Sequence, residues 1–237
     1  PPSLPRVFQL LYKEDSNLGG FFGAASRKSC KYDVFFGTDY HSHLGTKRGG
    51  LAFYDPDKGF QRQIHNIENT PFRTKFESDL EKFSGCYGLG CISDTDPQPL
   101  LVRSHLGLFA ISTVGIITNA EELVEKTFSG PGYQFMAMSS GKVNATELTA
   151  ALINRCDNLI DGIRYAQAAI EGSCTILILN QDGLIAARDS MGRLPIVIGQ
   201  GEKGCCAAME SFACQKLGYQ PCYNLGPGEI VRVTPDG

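Results

Sequence analysis

Leu18-Gly19-Gly20-Phe21-Phe22-Gly23-Ala24-Ala25-Ser26 is the stretch on which the reading of this chain turns. It is uncharged, combines small with aromatic residues and is bounded by turn formers, so it predicts a short buried strand. Ahead of it, residues 1–18 form an N-terminal extension. That segment is Pro-rich, then apolar (Val7, Phe8, Leu10, Leu11, Tyr12), then charged. It reads as an ordered extension packing on the domain surface. The alternative is a propeptide whose removal frees a nucleophile.

Working outward, residues 32–44 carry Tyr32, Phe35, Phe36 and Tyr40 near helical spacing, and the Gly-rich 43–54 turns into a strand. Thr70 reads as the N-cap, and Pro71 as the first residue, of a helix to about residue 83. Strands follow at 85–92, where Gly88 and Gly90 allow close backbone approach, and through 98–100 and 106–112. Thr118 with Glu121 three residues on reads as a capping box opening a helix through 125. Residues 129–141 read as a loop, and 146–155 and 160–170 as helices. The uncharged, β-branched run 174–179 is a buried strand, and Gln181-Asp182-Gly183 turns it into a hairpin with 184–188. Strands at 196–198, 205–209 and 229–233 and a short helix at 211–217 complete the pattern. Strands come first and last around a helical block, with no regular βαβ alternation. That order predicts an α+β fold, a four-layer αββα sandwich of two stacked, mostly antiparallel sheets.

The formal net charge is -3 and no basic cluster exceeds Lys47-Arg48, which argues against nucleic acid or an anionic membrane as partner. No apolar run approaches the ~20 residues that span a bilayer. The nine cysteines form no C-x-x-C pair, so they read as structural thiols in a reducing cytoplasm rather than as zinc ligands or a disulfide framework. Asp39, His41 and His43 sit close in sequence, but the Gly-rich context favours a tight turn over a metal site, and no metal or cofactor is expected. The chain begins without Met and stops at Pro235-Asp236-Gly237, which reads as one domain, 19–237, excised from a longer protein.

Several motifs, in order, carry a resemblance. Gly19-Gly20-Phe21-Phe22-Gly23 stands where class II (N-terminal-nucleophile) glutamine amidotransferases begin with Cys-Gly-Ile-Phe-Gly. His43, Gly45 and Gly50 match a His-Arg-Gly-Gln-Glu-Ser-Ala-Gly-Ile segment, and Thr118-Asn119-Ala120-Glu121-Glu122-Leu123 matches a Leu-Thr-Asn-x-x-Glu-Leu helix start. Ala187-Arg188-Asp189-Ser190-Met191-Gly192-Arg193-Leu194-Pro195, Met209-Glu210-Ser211 and Pro227-Gly228-Glu229-Ile230-Val231 are the most specific parts. Together they resemble the glutaminase domain of the amidophosphoribosyltransferase family. That resemblance implies an Ntn-hydrolase-like fold, a C-terminal phosphoribosyltransferase domain beyond Gly237, a homo-oligomer in the full-length protein and a place in purine biosynthesis.

The same resemblance locates the chemistry. Hydrolysing a glutamine carboxamide this way needs a thiolate with an α-amine as base, oxyanion donors, a cation for the substrate carboxylate and a carboxylate for its amine. The nucleophile position falls on Gly19, the Arg on Ser93, the oxyanion Asn on Val114 with Gly115 beside it, and the Asp on Ala145. The scaffold motifs survive while the site motifs do not, which points to a glutaminase domain that has lost its activity. Two other readings stand beside it. In one, Cys86 or Cys91 on the Gly-rich strand is a relocated nucleophile with His43 or His105 as base. In the other, the vacated and more apolar pocket serves ligand sensing or protein interaction, which requires that a concave pocket persist beside Gly19.

Overall fold

Strand β1 (Gly19–Ser26) lies near the middle of a seven-stranded antiparallel sheet ordered β13-β11-β12-β1-β4-β2-β3. Its partners are β12 (Gly204–Ala208) on one side and β4 (Tyr87–Ser93) on the other. The sheet is completed by β2 (Arg48–Asp55), β3 (Gly59–Asn66), β11 (Val197–Gly201) and β13 (Gln220–Asn224). The computed structural model describes residues 19–128, 138–139 and 142–237; the expected extension at 1–18 and most of the expected loop at 129–141 lie outside the described residues.

A second antiparallel sheet, ordered β14-β10-β9-β6-β5, packs against the first. It comprises β5 (Leu100–Ser104), β6 (Gly107–Ile117), β9 (Gly172–Asn180), β10 (Gly183–Ala187) and β14 (Ile230–Val233). A short pair, β7 (Met138–Ser139) with β8 (Lys142–Val143), stands apart. Three buried clusters fill three interfaces, which makes the layer order αββα. Phe22, Val34, Phe35, Phe53, Phe72 and Cys214 join the first sheet to the helices Lys31–Asp39, Phe72–Phe76 and Ser211–Lys216. Phe21, Leu89, Leu177 and Leu184 lie between the sheets. Ile176, Ile178, Leu148 and Ile163 join the second sheet to the helices Ala145–Ile153 and Leu159–Ala169.

Alternation along β1 decides where the site falls. Phe21 and Ala25 face the second sheet, and Phe22 and Ala24 face the helices, as a pleated strand requires. Residue 19 has the parity of Phe21, so its Cα faces Val114 of β6 across the gap between the sheets.

Three local expectations are corrected. The helix expected from Thr70 starts at Phe72, is capped at Pro71 without a side-chain bond, and gives way to a 3-10 turn, Glu77–Lys82. Thr118 and Glu121 form no capping box. The Thr118 hydroxyl instead donates to the Glu171 carbonyl, and Asn119 bonds the Ala169 carbonyl and the Glu171 N–H, fastening this turn to the end of the helix Leu159–Ala169. The cap of the helix Ala145–Ile153 is Asn144, whose side chain accepts from the Glu147 N–H at 2.8 Å. Strands β3 and β13 have no counterpart in the expectations. Both are sheet edges with few fully buried side chains, so they lack the apolar run that marks an interior strand.

Gly50 of β2 lets the segment before β5 approach. A Cβ there would lie 1.8 Å from the Gln98 carbonyl oxygen, a backbone atom with no room to yield. Gly50→Ala is expected to destabilise the domain by about 3 kcal/mol or more, a fall of roughly 6–12 °C in Tm by differential scanning fluorimetry. An unchanged Tm would show that the 98–99 segment moves freely.

Candidate functional site

A cavity opens at the end of the sandwich where β1 begins. Gly19, Ser93, Val114, Gly115 and Ala145, the five positions singled out from sequence, all line it. They come from β1, β4, β6 and the start of the helix Ala145–Ile153, so only the fold brings them together. Ile92, Thr95, Asp96, Gln98 and Thr113 complete the wall.

At the head of β1 there is no side chain and little space for one. A Cβ on residue 19 would stand 2.7 Å from the Ile92 carbonyl oxygen and 3.7 Å from Val114 Cγ2. It would point into the cavity, towards Val114. Ser93 Oγ lies 3.3 Å from the Thr95 N–H and 3.5 Å from Gln98 Nε2, so its short side chain is spent within the wall. Gly115 adopts φ 145°, a left-handed conformation that glycine tolerates. A Cβ there would meet the Ser173 carbonyl oxygen at 2.1 Å.

Asp96 was not anticipated. It is 4% exposed, and its carboxylate accepts the Ala145 N–H at 3.1 Å. A carboxylate thus comes to the first residue of this helix from β4's exit, although residue 145 itself carries none. The sequence showed an Asp at 96 but not that it folds back onto 145. Among the described residues no Lys or Arg lines the cavity.

Gln98 is the other unanticipated residue. It is 3% exposed, donates from Nε2 to the Thr113 carbonyl at 3.1 Å, and accepts from the Thr113 N–H at 2.8 Å. The space left free is about 10 Å³, near the least that holds a single water.

The most specific sequence motifs turn out to be scaffold. The Arg188 guanidinium donates to the carbonyls of Gly192, Leu194 and Leu225. Asp189, 1% exposed, accepts from the N–H groups of Arg193 and Leu194 and from the Thr175 hydroxyl. Backbone bonds tie Gly228 to Asp189 and Arg188 to Glu229, so the two C-terminal motifs meet each other rather than the cavity.

No family model matches the chain. Among proteins of known sequence it is 27% identical over 226 residues to the amidophosphoribosyltransferase of Methanocaldococcus jannaschii, covering 90% of this chain and 46% of that one. It is 23% identical over 240 residues to the Escherichia coli amidophosphoribosyltransferase, covering 92% and 46%. The chain therefore spans just under half the length of these relatives. Among solved structures, glutamine phosphoribosylpyrophosphate (PRPP) amidotransferase from B. subtilis, complexed with ADP and GMP, superposes with a TM-score of 0.80 at 24% identity, over 92% of this chain and 48% of that one. The fold is that of the glutamine PRPP amidotransferases. The chain resembles the amidophosphoribosyltransferases across nearly all its described length.

On this amidotransferase fold, neither alternative thiol reaches the cavity. Cys86 pairs through its carbonyl with the Ser26 N–H, at the opposite end of β1 from Gly19, about 23 Å away at ~3.3 Å per residue. Cys91 lies opposite Phe21 between the sheets, 1% exposed, and burial pushes its thiol up to about 12. The two proposed bases are elsewhere. His43 Nε2 lies 3.1 Å from Glu210 Oε1, joining two of the resemblance motifs on the outer face of the first sheet. His105 bonds the Cys156 carbonyl at the β5–β6 turn. The imagined metal trio is also dispersed. Asp39 pairs with Arg73, and His41 is fully buried with Nδ1 2.7 Å from the Gly37 carbonyl, where burial lowers its pKa.

A thiol at about 12 is essentially un-ionised at pH 8. Iodoacetamide is therefore expected to leave Cys91 unlabelled in the native protein while modifying exposed Cys222. Peptide mass spectrometry showing native labelling of Cys91 would reopen the relocated-nucleophile reading.

Proposed function

We propose that this chain is the glutaminase-fold domain of an amidophosphoribosyltransferase-like protein, and that it does not hydrolyse glutamine. The observation that carries this reading is the head of β1. Residue 19 offers no nucleophile, and even a Cβ there would lie 2.7 Å from the Ile92 carbonyl oxygen. Removal of residues 1–18 would free an amine at Gly19 but supply no sulfur. The other departures agree. Val114 cannot donate to an oxyanion, and loss of one such donor alone costs about 10²–10³ in rate. Ser93 is neutral where a cation is required.

The domain's role is then structural. It covers and shields a phosphoribosyltransferase domain of a cytoplasmic, oligomeric protein in purine biosynthesis, and that domain takes its nitrogen from free ammonia or another donor. Ligand sensing in the vacated pocket gains no support from a cavity with room for about one water.

The test uses the full-length protein, assayed for amidophosphoribosyltransferase activity with glutamine and separately with ammonium chloride. Turnover is expected with ammonium only. Gly19→Cys, with residues 1–18 removed, is expected to stay below a thousandth of an active relative's glutaminase rate. Robust glutamine hydrolysis by the unaltered chain would overturn the reading.

A further inference from the structure

We infer that Cys206 and Cys214 form a modification site of the domain, a dithiol that a peroxide closes into an intramolecular disulfide, stapling the helix Ser211–Lys216 to β12. The pair lies on the helix side of the first sheet, away from the cavity, so its chemistry does not depend on what stands at residue 19.

Pleating sorts the adjacent cysteines of β12. Cys205 faces the second sheet, whereas Cys206, between Ala24 of β1 and Gly199 of β11, faces the helices. Cys214, the fourth residue of the helix Ser211–Lys216, comes down onto it with the two sulfurs 3.4 Å apart. Both thiols are fully buried. Gly199 makes this contact possible from below. A Cβ there would stand 2.9 Å from Cys206 Sγ and 3.1 Å from Cys214 Cβ, pressing on both residues at once. Bonding takes the sulfurs from 3.4 Å to ~2.05 Å, a closure of roughly 1.3–1.4 Å that rotation about the two Cα–Cβ bonds supplies.

Access to the pair comes from the weakness of its lid. Within the helix only Ala213 and Cys214 are buried, while Ser211, Phe212, Gln215 and Lys216 face solvent. So short a helix cannot hold itself together, and a methyl and a thiol are a small apolar anchor. Local opening of this segment therefore costs far less than unfolding the sheet. Opening also divides the roles. Cys214 leaves with the lid and meets the oxidant, since susceptibility follows exposure. Cys206 stays on the sheet and is the resolving thiol when the helix settles back.

In the first step the Cys214 thiolate attacks one oxygen of the peroxide. The O–O bond breaks, hydroxide or an alkoxide leaves and takes up the proton the thiol gave, and Cys214 becomes a sulfenic acid. In the second step the Cys206 sulfur attacks the Cys214 sulfur. The S–S bond forms, the S–O bond breaks, and the departing hydroxide takes the Cys206 proton as water. Two electrons pass from the thiols to the peroxide, and a dithiol reductant returns them by exchange. The disulfide fixes a helix whose preceding residue, Glu210, bonds His43 and whose Phe212 packs on Tyr40 with ring centroids 5.7 Å apart. Those contacts lead to His41 and Leu44, which lie against Gly20, so the staple also steadies the outer side of the head of β1.

The experiment treats the native full-length protein with hydrogen peroxide and digests it, unreduced, with trypsin and a glutamate-specific protease. Cleavage after Lys203, Glu210 and Lys216 separates the two cysteines, so a disulfide leaves residues 204–210 and 211–216 joined and two hydrogens lighter. The joined peptide is expected from the unaltered protein and from Cys205→Ala, and not from Cys206→Ala or Cys214→Ala. Oxidation is expected to raise the Tm of the unaltered protein by roughly 3–8 °C, reversibly with dithiothreitol, and to give Cys214→Ala no rise. Each protein is compared with itself before and after peroxide, so the cost of the substitution drops out. Absence of the joined peptide at a dose that oxidises exposed Cys222, or a joined peptide with no rise in Tm, would overturn the inference. Neither result touches the functional reading, which the glutamine and ammonium assays decide.

Discussion

Strand β1 is buried on both faces, and the architecture follows from that constraint. A strand with Phe21 on one side and Phe22 on the other cannot lie at a surface or in a two-layer fold. It requires a partner sheet against one face and helices against the other, with a hydrogen-bonded neighbour along each edge. Burying two such aromatics contributes on the order of 4–6 kcal/mol, comparable with the net stability of many domains. The parity that sorts Phe21 from Phe22 also sends residue 19 between the sheets, so the same alternation that builds the core places the site at its open end.

The residues that line the cavity and the residues that hold its frame are separate sets. The frame is held by interactions remote from the reacting centre. Arg188 collects three carbonyls, Asp189 closes the turn beneath it, and Glu229 is bonded by the Tyr223 hydroxyl and the Gly226 N–H. Arg188 and Asp189 are partly buried and buried polar groups whose removal would leave unpaired partners, so stability alone favours keeping them. A nucleophile, an oxyanion donor and a substrate clamp stabilise nothing in the unliganded fold.

Much of this was legible in the sequence, and the reasons for success and failure are specific. The interior strands at 19–26, 87–93 and 172–180 declare themselves by uncharged apolar runs, and the β9–β10 hairpin by Asp182-Gly183. The edge strands β3 and β13 do not, because Gly59–Asn66 and Gln220–Asn224 bury too little to need an apolar pattern. In place of a capping box at Thr118, the Thr118 hydroxyl donates to the Glu171 carbonyl and the Asn119 amide to the Ala169 carbonyl, groups that come within reach only once the helix Leu159–Ala169 is docked.

What the sequence by itself determined was the position of the interior strands along the chain, the scaffold motifs and the absence of sulfur at position 19, since these are matters of local pattern and residue identity. What only the tertiary structure decided was the content of the site. The Ile92 carbonyl beneath residue 19, the carboxylate of Asp96 at residue 145 and the carboxamide of Gln98 on Thr113 are meetings between separate segments. Local propensity cannot encode them, because they come into being only when two sheets close on one another and bring those backbone atoms within hydrogen-bonding distance.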